Sequence, residues 1–174
     1  MSKQTKVIRL LGYSGSGKTH FILRAIQLLK QKLKMEVGVV KNIHDHEIDK
    51  PGKDSYKYSK MGAIYSVTRN SKNENTIFLK KDISIKEILN WLSKGPFEIG
   101  LIFIEGFKTL KYPTILCAKN CKELEIQYGE YEDVKMISGL ISQHKTDCGS
   151  LGVPIVNIDK DFKTFLKLFN ISKD

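Results

Sequence analysis

Gly12-Tyr13-Ser14-Gly15-Ser16-Gly17-Lys18-Thr19 directly follows the apolar run Val7-Ile8-Arg9-Leu10-Leu11. It opens a segment that carries Phe21, Ile22, Ala25, Ile26, Leu29 and Leu33 at helical spacing. A buried strand that stops in a glycine loop and restarts as a helix leaves few folds open, and the loop fits G-x-x-x-x-G-K-[ST], the phosphate-binding P-loop. Glycines at 12, 15 and 17 let the backbone turn sharply and aim its N–H groups at an anion. The helix N-terminus adds its dipole and unpaired donors. Gly15, Ser16, Gly17, Lys18, Thr19 and His20 are therefore the candidate cradle. Lys18 is placed to reach the β- and γ-phosphates and the Thr19 hydroxyl to ligate Mg²⁺. The alternative, an ordinary Gly/Ser turn before a helix, does not account for the entering strand.

The rest of the chain reads as alternating strand and helix, the pattern of a mostly parallel sheet flanked by helices, of the P-loop nucleoside triphosphate hydrolase type. Strands are expected at Val7–Leu11, Glu36–Lys41, Ala63–Thr68, Thr76–Leu79, Gly100–Ile104, Pro113–Ala118, Val134–Ile141 and Ile155–Ile158. Helices are expected from Lys18 to about Lys32, at Asp54–Met61 with Gly62 as C-cap, at Ser84–Ser93 with a Ser84/Glu87 capping box, and at Phe162–Phe169. No repeat or low-complexity linker breaks the 174 residues, which predicts a single domain over 1–174.

Lys and Arg outnumber Asp and Glu by 29 to 19, a formal charge of +10 that favours anionic partners. The lysines are scattered rather than blocked, so a solvated basic surface fits better than a nucleic-acid stripe. No apolar run approaches the ~18–20 residues of a membrane span, and the N-terminus lacks a secretory apolar core, so a cytoplasmic protein is expected. Its three cysteines, Cys117, Cys121 and Cys148, are then expected to be reduced and structural. A zinc site of these with His144 matches no common spacing.

A P-loop needs a carboxylate at the end of a neighbouring strand to serve Mg²⁺, directly or through water. Leu101-Ile102-Phe103-Ile104-Glu105-Gly106 supplies one, an acid where a continuous apolar run emerges. Glu105 is the candidate, with Thr19 for the metal and with Lys18 for catalysis. The other dense segment is Lys41–Ser55, with two histidines, four acids and three lysines in one loop. His44, Asp45, His46 and Asp49 could hold a divalent metal, though two solvated loop histidines are an equal reading. Lys53 could face an anion and Asp54 the Mg²⁺, because Pro51-Gly52 fixes the turn before them.

Three signatures in order resemble the molybdopterin-guanine dinucleotide biosynthesis protein B (MobB) family: Gly12–Thr19; Asp49-Lys50-Pro51-Gly52-Lys53-Asp54-Ser55-Tyr56 followed by Gly62-Ala63; and Glu105-Gly106-Phe107-Lys108. The resemblance covers about residues 6 to 118. It implies a small P-loop GTP-binding protein with a weak GTPase and Mg²⁺, forming a homodimer. It further implies that the protein assists a partner enzyme, the molybdenum cofactor guanylyltransferase, which attaches GMP to molybdopterin to give the guanine dinucleotide. Lys53, Asp54 and Ser55 would line the same cleft, where molybdopterin or the partner approaches. The family usually opens the strand before Glu105 with Asp where this chain has Gly100, which shifts the metal role to Glu105 and the 45–54 loop.

On residues alone, ATP and GTP are not distinguished. His144-Lys145-Thr146-Asp147 is a near match to the N-K-x-D guanine reader. A small-molecule kinase using ATP shares the size and the P-loop, but such kinases carry arginines on a lid, and this chain has only Arg9, Arg24 and Arg69. A non-catalytic nucleotide-binding module shares every motif and differs only in turnover.

Overall fold

Apolar runs that bury both faces become strands of a parallel sheet in the computed structural model, which describes residues 5–44, 46–144, 148 and 151–172. The first half of the chain forms β1 (Lys6–Leu11), α1 (Lys18–Leu33), β2 (Val37–Lys41), α2 (Asp54–Lys60), β3 (Tyr65–Arg69) and β4 (Asn75–Leu79). The second half forms α3 (Ile85–Ser93), β5 (Leu101–Glu105), β6 (Thr114–Cys117), α4 (Cys121–Tyr128), β7 (Val134–Ser138) and α5 (Phe162–Leu168). Five strands make one sheet in the order β2-β5-β1-β6-β7, every pairing parallel. The expected class, a mostly parallel sheet flanked by helices, is the observed one.

Alternation along the strands sorts the core into two layers. Ile8, Leu10, Phe103, Ile115, Cys117 and Met136 bury with Phe21, Ala25 and Leu29 of α1 and Phe165 of α5. Leu11, Leu116 and Ile137 bury with Leu124 of α4 and Ile141. Phe21 and Phe165 meet edge to face at 5.8 Å, which locks α1 against α5. In β1 a buried charge interrupts the apolar run. Arg9 is buried, and its guanidinium donates to Thr114 Oγ1 at 2.9 Å and to the carbonyls of Lys108, Leu110 and Glu132. Burial pulls its pKa below the ordinary arginine value, opposed by Asp133, Tyr131 and Glu132. These bonds tie the 106–113 segment, just beyond Glu105, to the sheet.

The span expected as one domain is laid out as two compact units, 1–42 with 91–174, and 43–90. In the smaller unit β3 and β4 pair antiparallel as a separate two-stranded sheet. Helix α2 ends at Lys60 with Met61 as its C-cap, one residue before the expected Gly62, which follows at φ +102°. The Ser84/Glu87 capping box forms, with Ser84 N–H donating to Glu87 at 2.7 Å and Glu87 N–H to Ser84 Oγ at 3.2 Å. The Ser84 hydroxyl, which donates to Glu87 Oε2 at 2.7 Å, and then the Ser84 N–H hold the exposed Glu87 carboxyl below the usual range.

Three expectations need correction. Ile155–Ile158 is not a strand: it makes one isolated bridge, Ile155 to Ile137. Pro154 cannot donate to a ladder, and Asn157 Oδ1 turns the chain by accepting from Asp159 and Lys160 N–H. The strand expected to reach Ile141 stops at Ser138, because Gly139 adopts φ +89° and a 3-10 turn spans Leu140–Gln143. Helix α4 was not expected at all. Its signal is the capping box of Asn120 and Glu123, in which Asn120 Oδ1 accepts from Glu123 N–H at 3.0 Å. Among the described residues no helix is long and apolar enough to cross a membrane.

Candidate functional site

The glycine loop connects β1 to α1 at the carboxyl end of the central strand, with Gly17 as N-cap of α1 in the left-handed region. It is pressed against its neighbours. A Cβ on Gly12 would lie 2.1 Å from Cys117 O at the end of β6, and Leu140 N–H donates to Ser16 O at 3.1 Å. Ser16 is fully buried, and its Oγ has no hydrogen-bond partner among the described residues. A loop so wedged holds its N–H groups in place before any anion arrives, which is what a phosphate cradle requires.

Lys18 folds back over the loop, its Nζ donating to Gly12 O at 2.9 Å and Tyr13 O at 2.8 Å. Thr19 Oγ1 lies 3.5 Å from Glu105 Oε1. The register that pairs Leu10 with Glu105 brings the acid out beside the start of the loop, next to Thr19. One member was missed. Lys41, paired with Glu105 across β2 and β5, places Nζ 3.5 Å from the same Oε1. One lysine and a hydroxyl beside a largely buried carboxylate make a polar cluster at the mouth of the glycine loop. Thr19 Oγ1 and Glu105 together offer the oxygen donors that Mg²⁺ prefers, so the residues present fit the ion. Gly100 precedes β5 at the opposite end, roughly 16 Å away at ~3.3 Å per residue. A side chain there would not reach this cluster, and its Cβ would lie 2.8 Å from Met35 Cγ. The metal reading therefore stays with Glu105. His20, exposed on the first turn of α1, lines a cavity of about 30 Å³ with Phe21, Gly139, Gln143 and Asp159.

Lys53 and Asp54 belong to the smaller unit. Both are exposed, Lys53 as N-cap of α2 and Asp54 paired with Lys57 Nζ at 3.0 Å. The turn before them is real: Gly52 takes φ +92° and Lys53 N–H points to Lys50 O at 3.4 Å. Asp49 is not an open ligand. It is buried and accepts from Ser55 Oγ at 2.9 Å, stapling the loop to the first turn of α2, while its Oδ2 has no partner among the described residues. His44 and His46 are exposed, and among the described residues no three His, Cys, Asp or Glu side chains gather to hold a metal. Asp45 lies outside the described residues, as do Lys145, Thr146 and Asp147 of the near match to N-K-x-D; His144 is exposed.

The cysteines depart from expectation. Cys121 and Cys148 form a disulfide, with Cα atoms 5.3 Å apart, so two of the three are not reduced thiols, and neither is available to zinc. A separation of 27 residues gave no local hint of this pairing. Cys117 is unpaired and fully buried, and burial pushes its thiol up to about 12, beyond what nearby Lys18 offsets. A protonated, enclosed thiol is inert. Under native conditions a thiol reagent should label none of the three, and after mild reduction Cys121 and Cys148 only. Peptide mass spectrometry reads this, and native labelling of Cys117 would contradict its burial.

Residues 7–139 match the family described as molybdopterin guanine dinucleotide synthesis protein B. A Methanocaldococcus jannaschii protein is 34% identical over 120 residues, 66% of this chain and 48% of that one. The molybdopterin-guanine dinucleotide biosynthesis adapter protein of Escherichia coli is 29% identical over 104 residues, 59% of each chain. The chain thus spans about half to three fifths of these relatives' length. The crystal structure of Bacillus subtilis MobB superposes with a TM-score of 0.72 at 22% identity, covering 97% of this chain and 99% of that one, a likeness of fold. The match runs from β1 through the loop and Glu105 to Gly139, the residues that build the cluster, and the chain belongs to the molybdopterin guanine dinucleotide synthesis protein B family.

Proposed function

We propose that the chain is a GTP-binding adaptor of molybdenum cofactor biosynthesis, assisting the guanylyltransferase that attaches GMP to molybdopterin. The observation that carries the nucleotide half is the 3.5 Å approach of Thr19 Oγ1 to Glu105 Oε1 at the mouth of the glycine loop. The family supports the pathway half, since relatives bear the adapter name. In this reading the loop N–H groups and Lys18 bind the phosphates, while Thr19 and Glu105 hold Mg²⁺, which would neutralise phosphate charge.

Turnover by the protein alone should be weak. Each of its three arginines is engaged elsewhere: Arg9 on buried carbonyls, Arg24 with Asp159 at 2.5 Å, and Arg69 with Asn73 at 2.5 Å. A cradle without an arginine to meet developing charge binds better than it hydrolyses. Lys53 and Asp54, exposed at the family's second motif, would meet molybdopterin or the partner enzyme. The hairpin exposes Tyr65, Val67 and Ile77 on one face, an apolar surface that a second copy of the chain would cover in a homodimer. Light scattering should then give twice the chain mass, and a monomer at micromolar concentration would remove the dimer from the reading.

Calorimetric titration with GTP and with ATP, each with and without Mg²⁺, tests the nucleotide half. GTP preference supports the adaptor, and ATP preference would put a small-molecule kinase in its place. In the same titrations Glu105→Gln should lose about tenfold in affinity with Mg²⁺ and little without it. An equal loss in both would make Glu105 a structural acid.

A further inference from the structure

We propose that Lys119 is a second phosphate-binding lysine at this loop; the proposal rests on the nucleotide reading above. Lys119 stands two residues beyond β6, the strand beside β1. Its Cε and Nζ lie 3.4 and 3.6 Å from where a Cβ on Gly15 would be, so the side chain runs along the flank of the loop in van der Waals contact.

What holds Lys119 there is slack. Its backbone N–H donates to Glu123 Oε2 at 3.0 Å, part of the cap that starts α4. Its Nζ lies 3.6 Å from Glu123 Oε1, well beyond the ~2.7–2.9 Å of a charge-assisted hydrogen bond. The ammonium can therefore leave Glu123 without undoing the cap, because the backbone bond uses the other oxygen. Lys18, by contrast, is bound to two loop carbonyls. A polyphosphate in the cradle places several negative charges beside an ammonium already lying along the flank of the loop at Gly15, a far stronger partner than one loosely paired carboxylate. Glu123 then acts as a brake, competing for Lys119 when phosphate is absent.

The test uses the full chain and two probes, Mg²⁺–GTP and inorganic tripolyphosphate. Lys119→Gln removes the charge and keeps a polar side chain of similar size, so both probes should bind about tenfold more weakly. Lys119→Arg should restore binding to within about threefold, and Glu123→Gln, which keeps the cap, should tighten it about twofold. Thermal midpoints of all three should stay near that of the parent. If the parent binds and Lys119→Gln binds tripolyphosphate equally well, the proposal is overturned. Loss confined to GTP would also overturn it, by making Lys119 a base contact. If the parent binds neither probe, the nucleotide reading itself has failed.

Discussion

Lys18→Ala should abolish GTP binding while leaving the fold intact. The lysine lies outside the core, and among the described residues its Nζ donates to Gly12 O and Tyr13 O. Tyr13 is exposed and Gly12 half-buried, so water can replace the ammonium at these carbonyls. Ala at the first position of α1 is a strong helix former, and the buried face of that helix, Phe21, Ile22, Ala25, Leu28 and Leu29, is untouched. The thermal midpoint should therefore move little. Binding should not survive, because a desolvated ammonium–phosphate contact is worth about 3 kcal/mol, and losing it weakens affinity about a hundredfold or more. Titration beside a melting curve separates the two effects. A folded mutant with parental affinity would mean that the loop is a turn and not a cradle.

How far the site could be read beforehand depends on whether its members are joined by local sequence or by topology. The loop, α1 and Glu105 were legible because each carries its own local signal: glycines before a helical apolar stripe, and an acid ending an all-apolar strand. Lys41 and Lys119 were not. Each becomes part of the site only because β2 lies next to β5 and β6 next to β1, and strand order is not written in any local window. The same reasoning covers Cys121 and Cys148, whose pairing requires α4 and the later loop to be brought together. Strands β3 and β4 were legible as strands from their alternation. That they form a sheet of their own was not, because alternation specifies a pleat and not a neighbour. The segment 155–158 misled for the opposite reason: its apolar residues bury as a strand's would, but Pro154 and the Asn157 turn deny it a ladder.

Gly139→Ala should be among the most damaging single methyls in the larger unit. Gly139 sits at φ +89° and ψ −154°, a region that is essentially glycine's alone. Its Cβ would fall 2.2 Å from Ser16 O and 3.1 Å from both Ala118 N and Ala118 O. All three are backbone atoms, so no rotamer change relieves the clash. Either the glycine loop or the end of β7 must move, breaking the bonds from Leu140 N–H to Ser16 O and from Ala118 N–H to Ser138 O that join them, each 3.1 Å long. Strain and overpacking together should cost about 3 kcal/mol or more, lowering the thermal midpoint by roughly 6–12 °C. Gly152→Ala is the matched control. Gly152 also has positive φ, +71°, but nothing lies within 4 Å of its would-be Cβ. It should cost only the conformational penalty of about 1 kcal/mol. The difference between the two isolates the contact with Ser16, and it should appear in GTP affinity as well, since the displaced atoms belong to the cradle. If Gly139→Ala proves as mild as Gly152→Ala in both measurements, β7 does not brace the loop, and the preorganisation argued for the cradle must come from Gly12 and Cys117 alone.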